Sequence, residues 1–321
     1  MFKIQSVVDF DGLFKIHNNL IILYANNQLT LRDFNLKVLH ELTLQNTPSS
    51  FGVHNEKLLI GYSNGLLEIY SIKPLHLVKK ISPVDYKNIL RGTDEGHLGN
   101  AVTFTHFVSN STFISADESS RVFCMSLKGL GWLEGLDKQR LFGRYPLPPS
   151  NPLQLPAFHS KLLDVAVCQP YTAILTPTKL IVVSLKPSPT TIYRVINEKP
   201  SDHTTGTLAW NNNTLVFNWS NTVYKVNLDD QITHSSRVYD RKIMSSHWID
   251  SNLILLRSPT TFDLVEPASL EILESQPYDT SHLPNTPSSF QVLRKKCFFL
   301  VCGESYVKPT LTLYRLRTTC R

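Results

Sequence analysis

Eleven histidines and five cysteines are the first residues to question for chemistry in this chain. No histidine falls in an H-x-H or H-E-x-x-H arrangement, and no Cys/His set has the spacing that folds four donors around zinc. The cysteines, Cys124, Cys168, Cys297, Cys302 and Cys320, are odd in number, dispersed, and free of any C-x-x-C pair. They read as reduced thiols. Cys297 and Cys302 lie five apart on one expected strand, so they point to opposite faces and serve as core. No G-x-S-x-G elbow, G-x-x-x-x-G-K-[ST] loop or G-x-G-x-x-G turn follows a strand, so neither an activated nucleophile nor a phosphate cradle is written locally. The expectation is no enzyme, no cofactor and no metal.

Aromatic anchors are the other residues that could act, through binding. Trp210, Trp219 and Trp248 sit on or beside expected strands and read as packing. Trp132 lies outside the regular pattern, in Gly129-Leu130-Gly131-Trp132. It is either a buried lid or an exposed partner anchor, since aromatic anchors dominate interface energetics.

The elements that must position these residues are strands. Only eight of 321 residues are alanine, while β-branched and aromatic residues fill the apolar positions, which argues against a helical fold. The 42% hydrophobic content is enough for a large core and excludes disorder for most of the chain. The longest apolar runs, at 20–23 and 297–302, fall far short of the ~20 residues of a membrane span. The N-terminus lacks the apolar region of a secretory signal, so a soluble, cytoplasmic protein is expected. The net charge of +6 is scattered, with Lys79-Lys80 and Arg294-Lys295-Lys296 the densest groups. Nucleic-acid binding needs basic residues gathered on one face and is not expected.

An internal repeat sets the architecture. Thr47-Pro48-Ser49-Ser50-Phe51-Gly52-Val53 recurs as Thr286-Pro287-Ser288-Ser289-Phe290-Gln291-Val292, and an apolar strand begins eleven residues after each threonine, at Leu58 and Cys297. Seven hairpin-like units follow one another, at 20–34, 58–72, 112–127, 172–185, 214–228, 253–265 and 297–314. Asn64-Gly65 marks one as a two-residue type I′ turn, which needs φ > 0 at both positions. Each unit has a strand before it, such as Ser49–Val53 or Leu162–Val167, and usually one after it, such as Leu75–Ile81 or Leu270–Leu273. Four strands per unit at a period of roughly 46 residues is the signature of propeller blades. The fold expected is all-β: one seven-bladed, WD40-like β-propeller over residues 1–321. The last unit lacks an outer strand, and Lys3–Asp9 has no unit of its own, so the N-terminal strand is expected to close the ring in the last blade.

Residues 82–100 and 128–160 break the period, the latter between the third and fourth blades. Loops beyond ~12–15 residues in a compact fold are usually functional or disordered. Part of the second insertion, around Gln139–Tyr145, can serve as the third blade's outer strand.

With the blades in register, LLIGYSNGLLEIYSI, the Gly96-His97-Leu98-Gly99-Asn100-Ala101-Val102 approach, THFVSNSTFISADESSRVFCMSLKGLGW and LLDVAVCQPYTAILTPTKLIVVSL resemble the N-terminal propellers of vacuolar protein sorting-associated protein 8. The resemblance is most recognisable over residues 58–185. The Trp-Asp dipeptide of ordinary WD-type blades is absent, with Tyr70-Ser71 and Asp33-Phe34 at comparable places. The family resemblance implies a subunit of the CORVET endosomal tethering complex that recognises an early-endosomal Rab GTPase in its GTP form. It also implies other tethering-complex subunits as partners, peripheral association with endosomes, and a chain that is the propeller without the solenoid and RING-like regions of such a subunit. No Rab-contact residue carries over from the family. The partner patch expected from the insertion is Trp132, Leu136, Arg140, Phe142 and Tyr145. The alternative is a generic peptide- or protein-binding scaffold outside membrane traffic.

Overall fold

A computed structural model describes residues 2–9, 13–17, 20–33, 36–83, 97, 99–119, 122–127, 138–142, 162–185, 190–201, 203–229, 232–277, 290–293, 298–303 and 310–316. In 2–9, 16–17, 124–126, 138–142, 290–293, 298–303 and 310–316 it describes the backbone alone. The described residues form 28 strands and no helix.

After β1 (Phe2–Asp9), the first sheet comprises β2 (Leu13–His17), β3 (Leu20–Ala25), β4 (Gln28–Arg32) and β5 (Val38–Thr43). The second holds β6 (Pro48–His54), β7 (Lys57–Tyr62), β8 (Leu67–Ile72) and β9 (Leu75–Ile81). The third holds β10 (Phe104–Phe107), β11 (Thr112–Ala116), β12 (Val122–Ser126) and β13 (Lys138–Phe142). The fourth holds β14 (Asp164–Cys168), β15 (Tyr171–Leu175), β16 (Lys179–Ser184) and β17 (Thr190–Ile196). β18 (Leu208–Asn211), β19 (Thr214–Trp219), β20 (Thr222–Asn227) and β21 (Thr233–Val238) make the fifth. β22 (Ser245–Asp250), β23 (Leu253–Arg257), β24 (Thr261–Val265) and β25 (Ile272–Pro277) make the sixth. The last joins β26 (Phe290–Leu293), β27 (Phe298–Gly303) and β28 (Thr310–Leu316) to β1, which pairs antiparallel with β28 from Phe2↔Leu316 to Asp9↔Thr310.

The expected units are the middle hairpins of these sheets. Their strands are nearly continuous apolar runs because both faces are covered, as in Lys57–Tyr62, where every residue after Lys57 is buried. The last strand of each of the first six sheets is an edge strand, and most of β9 and β21 is exposed.

The chain divides into two compact units. One comprises Leu13–Thr172 with Ile181–Arg194, the other Met1–Gly12 with Ala173–Leu180 and Val195–Arg321. In the former, β7 shows how a period of two fills two cores. Leu58, Ile60 and Tyr62 pack with Ile22, Tyr24, Leu29 and Leu31 of the first sheet, while Leu59 packs with Phe107, Phe113 and Phe123 of the third. In the latter, Val216 and Val223 pack with Trp248, Ile254, Leu256 and Val265.

Two details differ from the sequence expectation, and one lies partly outside the described residues. Asn64-Gly65 is not a type I′ turn: only Gly65 has positive φ (83°), Gly65 N–H donates to Tyr62 O, and Asn64 Oδ1 accepts from Leu66 N–H. The two-residue turn with both central residues left-handed is instead Asn26-Asn27 (φ 52° and 62°), closed by the Ala25↔Gln28 pair. The last strand of the sixth sheet begins at Ile272 rather than Leu270, because Leu270 takes a left-handed φ of 56° and its N–H turns back to Glu266 O. Of the Cys297–Cys302 pair, Cys297 lies outside the described residues and Cys302 lies on β27.

Bulges occur in five outer strands: β1 steps over the polar Gln5, and in the other four the inserted residue is apolar. The register steps over Leu39 in β5, Val78 in β9, Leu141 in β13 and Leu273 in β25. Leu39, Val78 and Leu273 are 44, 51 and 62% exposed. A bulge leaves its extra residue out of the ladder, and these three are exposed.

Candidate functional site

The expected partner patch maps onto the third sheet only in part. Arg140 and Phe142 lie on β13, opposite Phe123 and Val122. This makes residues 138–142 of the long insertion the outer strand of that sheet. Trp132, Leu136 and Tyr145 lie outside the described residues. The other three tryptophans are packing, as expected: Trp210, Trp219 and Trp248 are buried, and the last two donate their indole N–H to Thr176 O (2.9 Å) and Ala209 O (3.1 Å).

The structure assembles polar groups that sequence patterns did not bring together. His97, in the approach to the third sheet, places Nδ1 2.8 Å from Asp117 Oδ2 and Nε2 2.9 Å from Ser115 Oγ. Asp117 also accepts from the Ser119 N–H and hydroxyl. Phe123 stands edge-on to the imidazole at a centroid distance of 5.0 Å. The connectivity Asp–His–Ser is that of a nucleophilic triad, but His97, Ser115 and Asp117 are all fully buried. A catalytic serine must be reachable by a substrate carbonyl. The arrangement is therefore a brace, holding the incoming chain to the β11 strand and the turn after it by satisfying every buried polar group it contains. The only sequence signal was Gly96-His97 placed before an S-x-D turn, with partners 18 and 20 residues away.

The same approach segment is tied to the second sheet. Ser49 and Ser50, the repeated serine pair, both donate to Val102 O, at 2.8 and 2.7 Å. A side chain on Gly61 would meet Ser50 Oγ at 2.5 Å and Val102 Cγ1 at 2.7 Å, so only glycine fits there. The serines thus act as a strap. Their second copy, Ser288 and Ser289, lies outside the described residues.

Two further networks are internal. Tyr62 and Tyr70 both donate to Glu68 Oε2, at 2.6 and 2.8 Å, while Lys80 Nζ lies 3.3 Å from Glu68 Oε1. Burial, reinforced by hydrogen bonding to the Glu68 carboxylate, pushes the Tyr62 phenol up and that of Tyr70 up to about 12. In the fifth and sixth sheets Asn218 Oδ1 accepts from Thr207 N–H and Oγ1–H and from Ser246 Oγ–H, and its amide donates to Ile243 O. On the innermost strands β2 and β14, burial holds the Lys15 ammonium below the ordinary lysine range, opposed by the charge of Asp164. Among the described residues no three His, Cys, Asp or Glu side chains gather as a metal site, and no helix is long and apolar enough to cross a membrane.

These networks brace the four-stranded sheets from within, and a family model described as Vps8 beta-propeller matches residues 48–297. The chain belongs to that family. The Vps8 propeller match extends on both sides of residues 58–185, where the motif resemblance is strongest. Comparison with curated proteins gives no match. Solved structures confirm the fold. The beta-propeller domain of Cps50 (Swd1) from Myceliophteria thermophila is 8% identical, with a TM-score of 0.71 over 99% of this chain and 100% of that one. A chain of the mitotic checkpoint complex is 11% identical, with a TM-score of 0.72 over 98% and 92%. At such identities the likeness concerns the propeller fold alone.

Proposed function

We propose that this Vps8-family propeller is the interaction module of an endosomal membrane-tethering subunit, with no catalysis of its own. In this reading the seven sheets form one ring spanning residues 1–321, closed through the β1–β28 pairing. It binds an early-endosomal Rab GTPase in its GTP form, works beside other tethering-complex subunits, and is peripheral on endosomes. The observation that carries the reading is the family match over residues 48–297. The rigid sheets support it physically, because a braced scaffold positions binding residues on its rim and loops.

Rab effectors read switch loops that the γ-phosphate orders, through apolar contacts with a polar rim. The contact patch proposed is Trp132, Leu136, Arg140, Phe142 and Tyr145, of which Arg140 and Phe142 sit on the outer edge strand of the third sheet. The test is retention on immobilised early-endosomal Rab loaded with GTP or GDP. Retention by the GTP form alone, weakened by Trp132→Ala with Phe142→Ala at unchanged melting temperature, is expected. Equal retention by both forms, or none, would turn the reading toward a general scaffold outside membrane traffic.

A further inference from the structure

The outer strand β9 differs from the other outer strands whose side chains are described. Five consecutive residues, His76 to Lys80, are exposed along it. It carries two lysines and no acid, whereas β17 and β21 carry one arginine each, β5 contains Glu41 and β25 contains Glu274. Its register places Lys80 opposite Glu68 and Lys79 opposite Ile69, so one lysine stands on each face of the sheet. Lys80 already contacts Glu68, while Lys79 has no acidic partner among the described residues. Beside them Leu77 and the bulged Val78 are 46 and 51% exposed.

The geometry points to β9 as a docking edge for an extended, acidic segment of a partner protein, which adds as a fifth strand. An outer strand has one row of main-chain donors and acceptors without a partner, and such rows take up strands. Neighbouring residues of an added strand point to opposite faces, so two consecutive acidic residues would meet Lys79 and Lys80, one on each side. Two apolar residues next to them would cover Leu77 and Val78. A second copy of this chain is a poor occupant, because pairing β9 with itself brings His76, Lys79 and Lys80 against their own kind. An anionic membrane would use the lysines but leave the main-chain row unpaired. This inference does not depend on the Rab reading, which concerns the third sheet.

The test uses a fluorescein-labelled peptide in which a pair of glutamates precedes a pair of valines, the same peptide in reversed order, and a version with lysines for the glutamates. Anisotropy should show binding by an acidic peptide, weakened by salt and lost with the lysine version. Lys79→Glu with Lys80→Glu should weaken binding by about tenfold or more, and Lys79→Arg should retain it. Hydrogen exchange of the β9 amides should slow when peptide is added, a readout that mere charge attraction would not move. Circular dichroism of each variant checks the fold, and Lys79→Glu alone leaves the Lys80–Glu68 contact intact. Failure of both acidic peptides to bind would overturn the proposal, and so would binding without protection of β9. Lysine-dependent binding to phosphatidylcholine/phosphatidylserine vesicles with no peptide binding would replace the peptide by a lipid surface.

Discussion

His97 Nδ1 lies 2.8 Å from Asp117 Oδ2, with both side chains withdrawn completely from solvent. A pair in that setting is worth most when it is broken, because removing one member strands the other in a medium that cannot solvate it. His97→Ala is expected to lower stability by ~3–5 kcal/mol, and Ser115→Ala, which strands only one ring nitrogen, by ~1–3 kcal/mol. Urea denaturation of both variants checks the order of the two losses.

Gly65, at φ 83°, lies against the backbone of Gly99: a Cβ there would reach 2.8 Å from Gly99 N. Gly65→Ala combines a left-handed backbone, unfavourable by ~1–2 kcal/mol for a residue with a Cβ, with a contact that only main-chain movement relieves. The variant should unfold at lower urea than Gly99→Ala, where the φ is also positive but the nearest atom to an added Cβ is Asn64 O at 3.9 Å.

Leu270 sets two effects against each other. Its φ of 56° is strained for a leucine, yet its side chain is 1% exposed and packs with Val265 and Trp248. Leu270→Gly relieves ~1–2 kcal/mol of backbone strain and forfeits a burial worth ~2–5 kcal/mol. Net destabilisation is the expected result of thermal or chemical melting. A more stable variant would show that strain dominates.

Alkaline titration should expose the buried tyrosines. Tyr70 is pushed up to about 12 by burial and the Glu68 carboxylate, and Tyr239 to about 12 by burial and Asp263, against the opposing charge of Arg237. A folded-state value above the unfolded one means the native state resists losing the proton. Stability from these groups is therefore complete below about pH 10 and is lost as pH rises from about 10 through 12. Urea midpoints measured from about pH 9 upward should fall across that window. They should fall less steeply for Tyr70→Phe, although its midpoint at neutral pH is lower for want of the 2.8 Å bond to Glu68.

Much of the fold was legible because a blade repeats a strong local signal. LIILY, LLIGY and LIVVS become buried middle strands since both faces of each sheet are covered. Turn geometry was less legible: the Asn64-Gly65 dipeptide suggests a two-residue turn, but the strands stop at Tyr62 and resume at Leu67, and loop length decides the turn type. Strand limits slipped where a bulge inserted Leu273 and a left-handed Leu270 ended the preceding turn. The polar braces were not legible, because His97 and Asp117 belong to different segments and meet only once the third sheet is built. Of the expected partner patch, the strand position of Arg140 and Phe142 followed from spacing, whereas a binding role is a proposal that no strand pattern writes.

The pairing of Phe2 with Leu316 joins strands far apart in the sequence, so β1 is made long before the neighbour it pairs with. Until β28 emerges, residues 2–9 have no sheet to join, and β26–β28 then form three strands with an open edge at β28. Closing so long a chain segment is entropically slow compared with forming any of the other sheets from consecutive strands. During synthesis β1, and then β28, thus each present an unpaired edge, and whatever shields residues 2–9 in that interval would govern how much of the protein reaches the native state rather than aggregating.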